Sequence, residues 1–306
     1  MIELRGLTKR YGDTTAVDDL TCTFRPGVVT GFLGPNGAGK TTTMLMALGL
    51  QRPTAGSVLL GGHRYRDLPV PMREVGALLD ARAVHHSRSG RHHLLALAAS
   101  NGLPRRRVDE VLDQVGLAAV AGKAAGTYSL GMSQRLGIAG ALLGDPPIVL
   151  FDEPVNGLDP SGIAWARTLM RDLAAEGRTV VVSSHLMSEM EQTADHLVVI
   201  GRGQLIADCS TAALVASSSQ SYVHVKTPDV DKLVAALSTV GATVAEHDQS
   251  LRITGVDCAA VGEVAARERV VLHELILRQP TLEAAFMELT RDTVEFGRTE
   301  RVEIGA

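Results

Sequence analysis

The chain has 306 residues, a formal net charge of −4, and is 45% hydrophobic, 3% aromatic and 21% charged. That length allows one large core domain and a small one, and the slightly acidic balance excludes the basic footprint of a general nucleic-acid binder. Cys22, Cys209 and Cys258 lack metal-ligand spacing and suit a reducing cytosol, the Met1–Arg5 start has no apolar signal region, and no run of about 18 apolar residues is available to span a bilayer.

Strands are expected over Ile2–Leu4, Thr21–Phe24 and the apolar run Val28–Leu33, with Pro26-Gly27 as a turn. Tyr11 follows the first of these. It could stack on an adenine ring, a contact of about 1–3 kcal/mol when bases meet aromatics, or be an ordinary core or surface aromatic. After Leu33 comes Gly34-Pro35-Asn36-Gly37-Ala38-Gly39-Lys40-Thr41-Thr42, then an apolar helical stretch to Leu50. This fits the strand, G-x-x-x-x-G-K-[ST], helix pattern of a phosphate-binding loop. Glycines let such a loop turn its backbone N–H groups inward, and the positive end of the following helix adds to the anion cradle. Lys40 would reach the β- and γ-phosphates, and the Thr41 hydroxyl would ligate Mg²⁺.

Pro53–Gly62 reads as a turn leading into another strand. Residues 82–145 read as helices, over Gly90–Asn101 after a Ser89 cap, Arg105–Val115 after Pro104, and Ser133–Leu143. Sheet pattern returns with Ile148–Phe151, continues with a helix over Pro160–Glu176, and adds strands over Thr179–Val182 and His196–Ile200. Strands alternating with helices imply a doubly wound α/β domain, interrupted by a helical insert. From about Ser217 the order is strand Tyr222–Lys226, helix Val230–Val240, hairpin Thr243–Glu246 with Leu251–Thr254, helix Cys258–Arg267, and strand Val270–Leu277. That is the split βαββαβ order of a small α+β, ferredoxin-like domain. Thr281 can cap a last helix through Thr290, and residues 291–306 read as a mobile, mixed-charge tail.

The remaining chemistry lies at expected strand and helix ends. Asp152 and Glu153 end a buried strand, where the phosphate loop also opens. Asp152 would hold Mg²⁺ directly or through water, and Glu153 can polarise a water for attack on the γ-phosphate. Asn156-Gly-Leu-Asp159-Pro160 follows. His185 ends the next strand and is either structural or a γ-phosphate contact. Tyr128-Ser129-Leu130-Gly131-Met132 enters a helix, and Ser129 with the amides of Leu130 and Gly131 offers a second anion-binding end. The phosphates around Lys40 do not need it, so it is free to serve a second molecule's nucleotide. His85, His86, His92 and His93 match no common metal spacing and read as part of a surface helix. Arg105-Arg106-Arg107 reads as a solvated helix face.

Taken together, these stretches resemble the ATP-binding subunits of ABC transporters. Gly34–Thr42 is similar to the family's Walker A, Tyr11 to its adenine-stacking aromatic, Ile148–Glu153 to its Walker B, Tyr128–Met132 to its signature, Asn156–Pro160 to its D-loop and Ser184-His185 to its H-loop. The resemblance covers residues 1–212 and implies a P-loop ABC ATPase domain, a RecA-like core with its helical subdomain at 82–145. The accessory domain is then 217–290. It also implies ATP and Mg²⁺ as cofactors, with a nucleotide-binding set of Tyr11, Gly34 to Thr42, Ser129, Leu130, Gly131 and Asp159, metal contacts at Thr41, Asp80 and Asp152, and Glu153 with His185 as catalytic. Two copies would pair head to tail as a homodimer, each ATP lying between one Walker A and the partner's signature. They would drive a separate membrane permease of about six spanning helices, each of ~20 apolar residues, from the cytoplasmic face of the cell membrane.

Departures from the family pattern are Tyr128 for leucine, Leu130 for the first signature glycine, Met132 for glutamine, and Asp80 where the Q-loop has glutamine. A carboxylate at 80 could still ligate Mg²⁺, with a shorter arm and one more negative charge. Met132, Asp80 and Pro280–Phe286 are similar to the daunorubicin-resistance type of ABC-2 exporter, which implies drug or antibiotic efflux. The rival readings are a non-transport ABC ATPase working on ribosomes or DNA, whose members carry paired cassettes or long coiled-coil inserts, and an ATP-gated switch of feeble turnover.

Overall fold

The structure, a computed structural model, describes residues 1–217, 221–247, 250–278 and 281–295. Its first strands are β1 (Ile2–Tyr11), β2 (Thr14–Phe24) and β3 (Val29–Leu33), followed by α1 (Lys40–Ala47), β4 (Ala55–Leu60), α2 (Pro71–Glu74) and β5 (Val75–Leu78). Three helices follow, α3 (Gly90–Ser100), α4 (Arg106–Gln114) and α5 (Leu130–Leu142). Then come β6 (Ile148–Asp152), α6 (Pro160–Ala175), β7 (Thr179–Ser183), α7 (Met187–Thr193), β8 (His196–Gly201) and β9 (Gln204–Ser210). The chain goes on through α8 (Thr211–Ser217), β10 (Tyr222–Lys226), α9 (Val230–Ser238), β11 (Thr243–His247), β12 (Ser250–Thr254), α10 (Cys258–Glu268), β13 (Glu274–Arg278) and α11 (Leu282–Glu295).

Contacts divide the chain into two compact units, one of Met1–Thr211 that takes up the chain again at Leu289, the other Ala212–Glu288. The first is organised by a six-stranded sheet in the order β5-β6-β7-β3-β8-β9. All its neighbours are parallel except β8 with β9. Every residue of β3 and β7 is buried, which is why both read as unbroken apolar runs rather than alternating ones. One face of the sheet packs through Phe32, Leu150 and Val181 onto α1 and the separate antiparallel sheet β2-β1-β4. Phe24 and Phe32 meet edge to face there, with ring centroids 5.6 Å apart. On the other face Gly31 leaves room for Met190 and Ala194 at the end of α7.

Three features position the site. Register aligns Phe32 of β3 with Ser183 of β7, and Ser183 with Asp152 of β6, so the three strands end level where β3 releases into the 34–39 loop. Second, α5 lies on β5 so closely that a Cβ on Gly76 would stand 1.9 Å from the Ala141 oxygen. Third, Arg107 closes the far end of α5, donating to the Leu142 and Leu143 oxygens at 3.1 and 3.3 Å, a cation at the negative end of a helix. The expectation of a solvated face for Arg105–Arg107 is therefore corrected at Arg107, whose side chain is 22% exposed.

The second unit is a four-stranded antiparallel sheet, order β11-β12-β10-β13. Val223, Val225, Leu251 and Ile253 face Leu233 and Leu237 of α9 and Val261, Val264 and Ala265 of α10, so both helices cover one face.

Several elements depart from the sequence reading. The helix expected from Ser133 starts at Leu130, because Ser129 is itself the cap. β1 and β2 run far beyond Leu4 and before Thr21, as a long hairpin whose period-two signal is broken by register shifts. β13 begins at Glu274 instead of Val270, and β5, α7, β9 and α8 were not anticipated. The last helix passes Thr290 to reach Glu295; the rest of the expected tail, 296–306, and Pro280 of the exporter-like stretch lie outside the described residues.

Replacing Gly76 with alanine should push α5 off β5 and lower unfolding stability by about 1–3 kcal/mol, the scale of core overpacking. Urea denaturation of the Gly76→Ala chain measures this, and an unchanged midpoint would contradict the close packing.

Candidate functional site

The loop after β3 gets its shape from residues without side-chain bulk. Gly37 and Gly39 hold φ of 81° and 101°, conformations that cost a residue bearing Cβ. At Gly39 there is also no space, since a Cβ would meet the Ala16 oxygen at 2.4 Å, whereas at Gly37 it would meet nothing. Gly39 is the N-cap of α1, and no side chain caps that helix. Its first N–H groups are left as donors for an anion.

The Lys40 ammonium folds back onto the loop, donating to the Gly34 oxygen at 2.6 Å and the Pro35 oxygen at 3.2 Å. Burial lowers its pKa, while the Glu153 and Asp152 charges oppose that fall. Asn36, Gly37, Ala38, Gly39, Lys40, Thr41, Thr42, Asp152 and Glu153, with Ala16, line one cavity of about 310 Å³. An open polar cavity walled by backbone donors, one ammonium and two carboxylates suits a polyphosphate with its cation.

Asp152 joins the loop to the sheet. Its Oδ2 accepts from the Thr41 hydroxyl at 2.9 Å, and its Oδ1 accepts from the Ser183 hydroxyl. Those Thr41 and Asp152 oxygens are hard donors of the kind Mg²⁺ takes. The next residue, Glu153, is forced into the left-handed region at φ 51°. Its N–H is held by the Ser183 oxygen at 3.2 Å and the Ser183 hydroxyl at 3.1 Å. Its Oε2 lies 2.8 Å from His185 Nδ1. Carboxylate and imidazole can therefore share the proton of a water attacking from the cavity side.

The other expected residues are placed apart from this cluster. Tyr11 lies at the end of β1, 45% exposed, outside the cavity lining, with Lys9 Nζ 4.9 Å from its ring centroid and its hydroxyl on Gln51. Asp80 is turned into an Asx turn, its Oδ1 accepting from Arg82 N at 2.8 Å, and lines a separate, largely apolar cavity of about 380 Å³. It does not join Thr41 and Asp152. Asp159 caps α6 by accepting from Gly162 N at 2.8 Å, and this bond first, then the Ser161 hydroxyl, lowers its pKa.

Ser129 caps α5, accepting from Met132 N at 3.2 Å, and stays exposed. Neither it nor Leu130 nor Gly131 lines the Lys40 cavity. Leu130 instead packs on Gly157, where a Cβ would be 2.1 Å from Leu130 Cδ2. Tyr128, buried with its pKa raised by desolvation, donates to the Val120 oxygen at 3.0 Å. Ser87 pairs with His85 Nδ1 and Ser89 with His92 Nδ1, at 3.0 and 2.8 Å, so two of the four histidines serve local turns.

Sequence reasoning gave Ser183 and Gln134 no role. Gln134 Nε2 donates to the Glu153 oxygen at 2.8 Å. Neither link is visible until the adjacency of β6 and β7, and the seat of α5, are known.

A sheet with this loop, carboxylates and helical insert defines a P-loop ATPase, and the comparisons place it further. The ABC transporter family profile matches residues 17–156, and a domain of unknown function matches 221–283. An uncharacterized ABC transporter ATP-binding protein, YhcH of Bacillus subtilis, is 34% identical over 96% of this chain and 97% of its own length. The daunorubicin resistance ATP-binding protein DrrA3 of Streptomyces coeruleorubidus is 33% identical, covering 95% and 96%. The bacitracin transport ATP-binding protein BcrA of Bacillus licheniformis is 39% identical, covering 78% of each. The dimeric structure of the bacterial ABC transporter cassette MJ0796 superposes with a TM-score of 0.63 at 25% identity, over 69% of this chain and 99% of that one. The chain belongs to the ATP-binding proteins of ABC transporters, and it is an ATPase.

Gly39→Ala should weaken ATP binding by tenfold or more, since strain of about 1–2 kcal/mol is joined by a clash with Ala16. Gly37→Ala, which carries the strain without the clash, should be milder. Titration with a fluorescent ATP analogue reads both, and equal, unchanged affinities would contradict this cradle.

Proposed function

We propose that this chain hydrolyses ATP with Mg²⁺ at a site shared between two copies, and that the cycle energises export through a separate membrane permease. One observation supports this most. The Lys40 cavity brings Thr41, Asp152 and Glu153 together in a single chain, with His185 on the Glu153 carboxylate, while the capped Ser129 end of α5 is not part of its lining. An exposed helix N-terminus with a hydroxyl cap is an anion contact, and a second copy turned head to tail would bring it to the γ-phosphate.

In this reading the loop amides and Lys40 hold the phosphates, and the Asp159 segment faces the partner. Thr41 and Asp152 hold Mg²⁺, which would neutralise charge developing on the phosphate oxygens. Asp80 would reach the ion only by leaving its turn. Glu153 takes the proton of the attacking water, and His185 orients it. Tyr11, open on its exposed side, would receive the adenine. DrrA3 and BcrA carry daunorubicin resistance and bacitracin transport in their names, and they favour efflux of an antibiotic-like cargo here too. No helix among the described residues is long and apolar enough to cross a membrane. The transport path is therefore assigned to a partner of about six spanning helices of ~20 apolar residues each, with this chain at its cytoplasmic face. Residues 217–290 act as an accessory domain that steadies subunit pairing.

Glu153→Gln should lower hydrolysis about a hundredfold to ten-thousandfold, the worth of a general base, while ATP still binds. Lys40→Ala should lose nucleotide affinity itself. Full turnover in the first variant would remove Glu153 from its role, and unchanged affinity in the second would remove Lys40. Deleting 217–306 should weaken ATP-dependent pairing of the Glu153→Gln chain in size-exclusion light scattering. If pairing is retained, the accessory role is wrong.

A further inference from the structure

Gln134 sits just over one turn into α5 from Ser129 and is 5% exposed. Its Nε2 donates to the main-chain oxygen of Glu153 at 2.8 Å, while its Oε1 is buried without a hydrogen-bond partner among the described residues. The same Glu153 oxygen takes a longer bond, 3.3 Å, from Asn156 N.

A residue that only filled this space would do better as leucine or methionine, which match the volume without burying an orphan acceptor. Nor is the amide free to turn over, because that would set Oε1 against the Glu153 oxygen, two acceptors face to face. The arrangement sacrifices one polar atom to secure one bond. That bond goes to a residue held at φ 51°, a conformation that persists only where its surroundings enforce it. Ser183 fixes the N–H of Glu153 from β7, and Gln134 fixes its carbonyl from α5.

We propose that Gln134 is a positioning residue for ATP hydrolysis. It locks Glu153 in the left-handed conformation from which the carboxylate meets His185, and it ties the Ser129-capped helix to the general base of its own chain. The inference rests on the reading of Glu153 as that base.

The intact chain carrying Gln134→Met is tested for turnover, nucleotide affinity and thermal midpoint, alone and combined with Glu153→Gln. The kcat should fall about 10–100-fold, the scale of a small misplacement at a reacting group, with KM and affinity for a non-hydrolysable ATP analogue within about twofold. The thermal midpoint should not fall. In the Glu153→Gln background the substitution should cost no further rate, as for residues that act as a unit. Gln134→Leu should show the same split of kcat from KM, and it serves if the methionine variant does not fold. An unchanged kcat in a folded variant overturns the proposal, and so does an equal loss in the Glu153→Gln background. If Glu153→Gln alone keeps full turnover, the base assignment has failed and Gln134 loses its role with it. A slow Glu153→Gln chain beside a fully active Gln134→Met chain confines the failure to Gln134.

Discussion

One carboxylate joins the two halves of the cavity's edge. Asp152 ends β6, two strands away from β3, yet its oxygens receive the Ser183 hydroxyl on one side and the Thr41 hydroxyl on the other. The bond to Thr41 ties the first turn of α1 to the sheet and leaves the loop between them spanning the gap. A chain of hydroxyl, carboxylate and hydroxyl running from a central strand into a helix is a fixed polar frame of the kind that pre-organises a site for charge. Because Glu153 is the next residue, the frame that sets Asp152 also sets the start of the strained turn. Ser183 serves both, as donor to one carboxylate and as acceptor from the other residue's N–H.

The helix end that the proposed pairing would use lies on α5. That helix is clamped by Gly76 beneath it and by Arg107 at its C-terminus, while its N-terminus is exposed and capped by Ser129 alone. Leu130, standing where the family's signature has glycine, fills the space left by Gly157. Leu130 thus adds an apolar contact between the start of α5 and the loop before α6 and leaves the Ser129 hydroxyl free of it. Tyr128 makes a comparable exchange, its hydroxyl reaching the Val120 oxygen. Both departures are accommodated by local packing of the side chains, on Gly157 and on the Val120 oxygen.

The phosphate loop, its helix and the strand ending in Asp152 were legible because each is specified locally. Glycine pattern, an unbroken apolar run and a terminal acid pair need no long-range information. The start of α5 at Leu130 was only half legible, since Ser129 and Ser133 can each cap a helix and only packing chooses between them. The extent of β1 and β2 was hidden by register shifts, which interrupt the alternation a strand usually shows. Asp80 looked like a metal ligand by position, yet a backbone N–H two residues on holds its carboxylate in a turn. Ser183 and Gln134 act across β7 and α5, and linear order does not reveal such a meeting.

The central claim is that the Lys40 cradle of one copy is completed by the Ser129 end of another. Equal amounts of two inactive chains, one Lys40→Ala and one Ser129→Arg, are mixed, and ATP occluded per chain is measured. In a head-to-tail pair both lesions fall into one site and leave the other intact. About a quarter of the unmodified occlusion should then return, since half the pairs are mixed and each has one good site of two. A mixture as empty as its two components would show that each chain completes its own pocket and would contradict the account.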